Sequence, residues 1–92
     1  MKKIEKKHLS KVAELGCIAC TKLGYYNTPA EIHHVKRFGE KRNHFNVIPL
    51  CPYHHRTSKE SVHLNPKWFI ETFGSQENLL QEVNENINGK QN

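Results

Sequence analysis

Asn46-Val47-Ile48-Pro49-Leu50-Cys51-Pro52-Tyr53-His54-His55-Arg56 passes from an apolar strand pattern into a cysteine-histidine knuckle within eleven residues. Cys51-x2-His54 has an upstream counterpart, Cys17-Ile18-Ala19-Cys20, separated from it by thirty residues. Two pairs at this spacing offer three thiolates and one imidazole, a closed four-coordinate donor set of the kind structural Zn²⁺ prefers. The set uses all three cysteines of the chain. Lone free cysteines are often no more than buried hydrophobes, but two knuckle spacings within 92 residues favour the metal. An odd cysteine count argues against a disulfide framework, and reduced thiols fit a cytoplasmic setting.

Upstream of the knuckle, Glu31-Ile32-His33-His34-Val35 has the pattern of a short strand and Asn46 to Leu50 that of a second. The basic, glycine-containing loop Lys36 to Phe45 joins them as a loose hairpin. Pro52 suits a first helical position, which predicts a short helix from there to about Glu60 carrying His54 and His55. Ile4, Leu9, Val12, Ala13 and Leu15 recur near helical spacing up to Gly16 and predict a helix over residues 4–15. Residues 17–29 show no sustained period and read as a metal-knuckle loop. After Pro66, the residues Trp68, Phe69, Ile70 and Phe73 predict an apolar helix ended by Gly74. Ser75 opens another, with Leu79, Leu80, Val83 and Ile87 on one face. The expected class is a small zinc-stapled α+β domain with a short β-hairpin, flanking helices and little regular sheet. Residues 1–16 form its basic N-terminal helix, 17–63 the knuckle and core, 64–88 the C-terminal helices and 89–92 a tail.

Ninety-two residues allow one domain. Only 36% of them are hydrophobic, a thin supply for so short a chain, so folding calls for a staple. Charge is uneven: residues 1–63 carry 12 basic and 5 acidic side chains, whereas residues 64–92 carry 2 and 4. The basic surplus therefore travels with the cysteines and histidines, which points to a polyanionic partner. All nine acids are Glu. Without Asp, a Ser-His-Asp triad, an aspartic dyad and an Asp-built metal site are excluded. No apolar run reaches the ~18 residues of a membrane span, and no His-Glu-x-x-His metalloprotease motif occurs.

With His54 assigned to the knuckle, His33-His34, Asn46 and His55 stand in the order His, Asn, His. This pattern resembles the HNH endonucleases of the ββα-metal fold, on Ile32-His33-His34-Val35, Asn46 to Cys51 and Pro52 to Arg56. A closer resemblance covers about residues 8–82. His8 to Ala13, Leu15 to Cys20, Pro29 to His34 and Ile48 to Pro52 are similar to the Ref-type RecA-dependent phage nucleases. The resemblance implies a metal-dependent DNA endonuclease leaving 5′-phosphate and 3′-hydroxyl ends, acting on DNA paired by a recombinase filament in a bacterial or phage-infected cell. It makes His34 the general base, His33 and His55 ligands of a catalytic metal, His63 a further ligand, and Asn46 the residue that pins the hairpin loop. His33 stands where many members have Asp, and His54 replaces the second Cys of the knuckle. The catalytic ion would be Mg²⁺, Mn²⁺, Ni²⁺ or Zn²⁺. The family's long basic N-terminal region is reduced here to Lys2, Lys3, Lys6, Lys7 and Lys11.

Physical logic agrees with these roles. Adjacent strand residues point to opposite sides, so one of His33 and His34 can bind metal while the other faces substrate. An imidazole with a pKa near ~6.5 can accept a proton from water at neutral pH. Lys36, Arg37, Lys41, Arg42 and Arg56 are candidate phosphate contacts. His8 and His44 read as surface or packing residues. The competing reading is a non-catalytic zinc-dependent nucleic-acid-binding module, in which the second histidine cluster is a closed structural site.

Overall fold

The computed structural model describes residues 1–36 and 39–89. In chain order the elements are α1 (Lys3–Glu14), α2 (Ile18–Lys22), β1 (Glu31–His34), β2 (Val47–Leu50), a π-helical turn (Tyr53–Thr57), α3 (Pro66–Phe73) and α4 (Gln76–Gly89). The expected α+β class holds, with one two-stranded antiparallel sheet as the only sheet among the described residues. None of the described helices is long and apolar enough to cross a membrane.

The hairpin is the centre of the packing. Glu31 pairs with Leu50, Ile32 with Pro49, His33 with Ile48 and His34 with Val47. All four residues of β2 are buried, because α1, α2, α4 and the π turn all lie against it. Strands covered on both faces read as continuous apolar runs rather than alternating ones, as Val47-Ile48-Pro49-Leu50 does. Pro49 is tolerated because each strand of a two-stranded hairpin keeps one edge free of ladder bonds. Val12 of α1, Phe69 and Phe73 of α3, and Leu79, Val83 and Ile87 of α4 close the core around this strand.

Local chemistry sets the helix boundaries. Asn65 caps α3 by accepting the Trp68 N–H, and Pro66 follows as its first residue. Ser75 Oγ accepts the Asn78 N–H at the start of α4. An ion pair of 2.9 Å between Lys22 and Glu82 ties α2 to α4.

Two expectations are corrected. Residues 17–29 are not all loop, because Ile18–Lys22 forms a short helix. Its nucleus is stabilised by side chains that periodicity does not register: Cys17 Sγ accepts the Cys20 N–H and Thr21 Oγ1 donates to the Cys17 carbonyl. The predicted helix from Pro52 to about Glu60 is instead a five-residue π turn followed by irregular turns. Its carbonyls are captured from outside. Val62 N–H donates to His54 O at 2.8 Å and His63 N–H to His55 O at 3.2 Å, so the bonds that would propagate a helix go to a returning strand of chain.

Gly16 ends α1 with φ of 77°, and a Cβ built there would stand 3.2 Å from the Thr28 carbonyl oxygen. That carbonyl accepts the Cys17 N–H at 2.9 Å, which folds residues 24–29 back over the first knuckle. Gly16→Ala should therefore lower stability by about 1–2 kcal/mol from the left-handed backbone alone. A melting curve shifted down by roughly 4–8 °C per kcal/mol is the expected result, and an unchanged curve would show that the turn is not strained by a side chain.

Candidate metal centres and active site

The four knuckle donors meet at one point. His54 Nδ1 lies 3.3 Å from Cys51 Sγ, 3.5 Å from Cys20 Sγ and 3.8 Å from Cys17 Sγ, and the Cys20 and Cys51 sulfurs are 3.7 Å apart. Tetrahedral bonds of ~2.3 Å to sulfur and ~2.0 Å to nitrogen give ligand-to-ligand edges of roughly 3.5–3.8 Å. The donor spacing thus fits a structural metal such as zinc. Burial pushes the Cys17 thiol up to about 12 and raises that of Cys20. Three thiols gathered in so dry a place need a cation to become thiolates together. Phe73 of α3 covers the cluster, its ring 5.5 Å from that of His54.

On the next residue of the same turn the chain presents a second cluster. His33 from β1, His55 from the π turn and His63 from the segment that returns beside it bring their ring centroids within 4.8–5.2 Å of one another. One ligand nitrogen from each can share a single ion, because these atoms lie within 4.8 Å of one another. His63 reaches the other two through the backbone bonds at residues 54–55 and 62–63 described above.

Two residues that sequence reasoning missed orient this cluster. Glu31 Oε1 accepts from His55 Nδ1 at 2.9 Å, which leaves Nε2 as the lone-pair nitrogen of His55. Gln76, at the start of α4, accepts from His33 Nε2 at 2.8 Å and leaves Nδ1 as the lone-pair nitrogen of that ring. An acceptor on the remote ring nitrogen is the usual support of a metal-binding imidazole. Glu31 shares its strand face with His33, and period two along β1 was a signal for it. Gln76 had none. Burial, reinforced by His55, His63 and His34, lowers His33 to about 4, so its ring is neutral at neutral pH.

His34, the next residue of β1, hydrogen-bonds through Nε2 to His44 Nδ1 at 3.1 Å. The packing expected of His44 is thus made against His34, with a hydrogen bond as well as a ring contact. Burial, with Arg42 and His44 nearby, holds His34 below the ordinary histidine range, again favouring the neutral ring. Asn46 closes the hairpin with its backbone, accepting from Val35 N–H at 2.8 Å and donating to Asn43 O at 3.1 Å.

Lys36, Lys41 and Arg42 are exposed on or beside the hairpin loop. Arg37 lies outside the described residues. Arg56 is exposed but engaged, its guanidinium gripping both Glu31 oxygens at 3.0 and 2.7 Å. Together with His55 it holds the Glu31 carboxyl down at about 2.

A family model for recombination enhancement, RecA-dependent nuclease, matches residues 2–91. The chain belongs to this family. No curated protein matches it significantly. The match spans both clusters, so the knuckle and the three histidines lie inside a RecA-dependent nuclease domain rather than in an appended segment.

If the first cluster staples this nuclease fold, Cys51→Ser should lose bound zinc and cooperative unfolding together, since metal-site energy is then folding energy. Metal analysis alongside thermal melting checks this. A zinc-free variant that melts as the parent does would remove the structural role.

Proposed function

We propose that the chain is a metal-dependent DNA endonuclease of the HNH, ββα-metal type, in which the hairpin and the π turn form the catalytic unit. The observation that carries this reading is the His33, His55 and His63 cluster, with His34 on the adjoining strand position and held in a separate hydrogen bond. Among the described residues the cluster has three metal-ligating groups rather than four. That favours an ion with open positions over the closed set expected of a purely structural nucleic-acid-binding module.

Cys17, Cys20, Cys51 and His54 would hold structural Zn²⁺. His33, His55 and His63 would hold the catalytic divalent ion, which supplies charge stabilisation at the phosphate and the leaving 3′ oxygen. Neutral His34 takes a proton from water, and the oxygen attacks phosphorus. The bond from phosphorus to the 3′ oxygen breaks, that oxygen takes a proton from solvent, and a 5′-phosphate and a 3′-hydroxyl result. Asn46 holds the loop that carries His34's partner. Lys36, Arg37, Lys41 and Arg42 supply phosphate contacts, with Arg56 contributing less because Glu31 neutralises it. The family description supports a recombinase-filament partner. A filament would concentrate a weakly binding enzyme at paired DNA.

His34→Ala should abolish plasmid nicking with the metal still bound, a loss of ~10²–10⁴ in rate, whereas His55→Ala should lose metal affinity as well. Nicking at the parental rate by purified His34→Ala would end this mechanism.

Coupling to recombination is tested separately. At physiological salt, cleavage of duplex DNA should be slow alone and rise when a RecA filament is present, because phosphate contacts weaken steeply with salt. Equal rates with and without filament across a salt series would show that the partner is not used.

A further inference from the structure

The hairpin loop is built to hold one imidazole against another. On one side of His44, Asn43 Oδ1 accepts the Phe45 N–H at 2.8 Å and Asn43 O accepts the Asn46 N–H at 3.1 Å. On the other, Phe45 packs on His8 of α1 with ring centroids 5.1 Å apart, and Asn46 O ties the turn to β1 through the Val35 N–H. The residues flanking His44 therefore do the bracing. His44 itself is half-buried, lies outside the apolar core, and meets His34 edge-on, with centroids 5.2 Å apart and planes at 69°. Among the described residues no third metal-ligating group joins the two, so the pair does not form a metal site of the kind seen in the two clusters.

We propose that His44 is a positioning residue for His34, fixing which ring nitrogen of His34 is presented to the reacting water. This rests on the nuclease reading above. One hydrogen joins His34 Nε2 and His44 Nδ1, so the tautomer of each ring sets that of the other. With the proton on His34 Nε2 and His44 Nδ1 accepting, Nδ1 of His34 carries the lone pair. The proton leaving water goes to that Nδ1, and the imidazolium that forms keeps its Nε2–H directed at His44. Without His44 the ring samples both tautomers and more than one rotamer, and only a fraction of molecules present a base in the right place.

Two readouts on the intact protein test this. Long-range ¹H–¹⁵N correlation of the histidine rings should show His34 in a single tautomer, protonated at Nε2, in the parent and a mixture in His44→Phe. The same single tautomer in both would overturn the proposal. In plasmid nicking, His44→Phe should lower kcat by about tenfold to a hundredfold, part of the ~10²–10⁴ that a general base contributes. KM for DNA, metal content and melting temperature should be unchanged, and His44→Gln, which restores a hydrogen-bonding side chain, should recover most of the rate. In a His34→Ala background His44→Phe should cost nothing further. Parental kcat in His44→Phe, or a loss confined to KM, would overturn the positioning role in favour of packing or a DNA contact. An inactive parent, or a fully active His34→Ala, would instead remove the nuclease reading, and the tautomer spectra would still decide whether His44 sets His34.

Discussion

Convergence of Cys17, Cys20, Cys51 and His54 on one point is the constraint from which the remaining geometry follows. Three buried sulfurs and an imidazole at contacts of 3.3 to 3.8 Å tie the end of α1 and the whole of α2 to the end of β2 and the π turn. Those segments are far apart in sequence, and the apolar core that would otherwise join them is small. Burial makes these thiols reluctant to ionise on their own, and a bound cation would be what turns them into thiolates together. In our reading the ion is a cross-link that a chain of this length needs in order to fold.

His54 and His55 are adjacent, yet they serve opposite sides of the same turn. An ordinary α-helix would carry its carbonyls onward to the next turn, but here the His54 and His55 carbonyls accept from Val62 and His63. That exchange brings His63 against His55. π-type turns of this kind often occur at functional sites, where backbone regularity yields to side-chain placement. Glu31 completes the arrangement by binding His55 and Arg56 at once. The staple and the proposed catalytic cluster thus share one short segment, and disturbing the first should be felt by the second.

The knuckle pairs were legible because metal-ligand spacing is a local property, and the hairpin because β2 is a short apolar run facing a strand-like stretch, β1, across a basic loop. The helices α1, α3 and α4 carried periodic apolar faces, and Asn65 and Ser75 supplied ordinary caps for the last two. The π turn was not legible, since the bonds that stop a helix at Thr57 come from residues 62 and 63. The α2 helix was missed because five residues are too few to show a period, and its nucleus depends on Cys17 Sγ. Within the site, His33, His55 and His63 could be grouped in advance only by family resemblance. Period two along β1 was an unused signal for Glu31, while Gln76 and His44 reach their partners through tertiary folding that no spacing rule encodes.

In our reading a closed thiolate centre folds the chain and an open histidine centre cuts DNA. Stoichiometric titration of the metal-free chain separates them, with Co²⁺ reporting thiolate ligation by its charge-transfer absorption, Mn²⁺ or Ni²⁺ added afterwards, and supercoiled plasmid present throughout. The expected result is that the first equivalent of Co²⁺ brings the full thiolate absorption and cooperative folding without cleavage, and that nicking follows only the second ion with no further thiolate signal. Full nicking with one ion on the thiolates, or a second ion that also binds sulfur, would contradict the account.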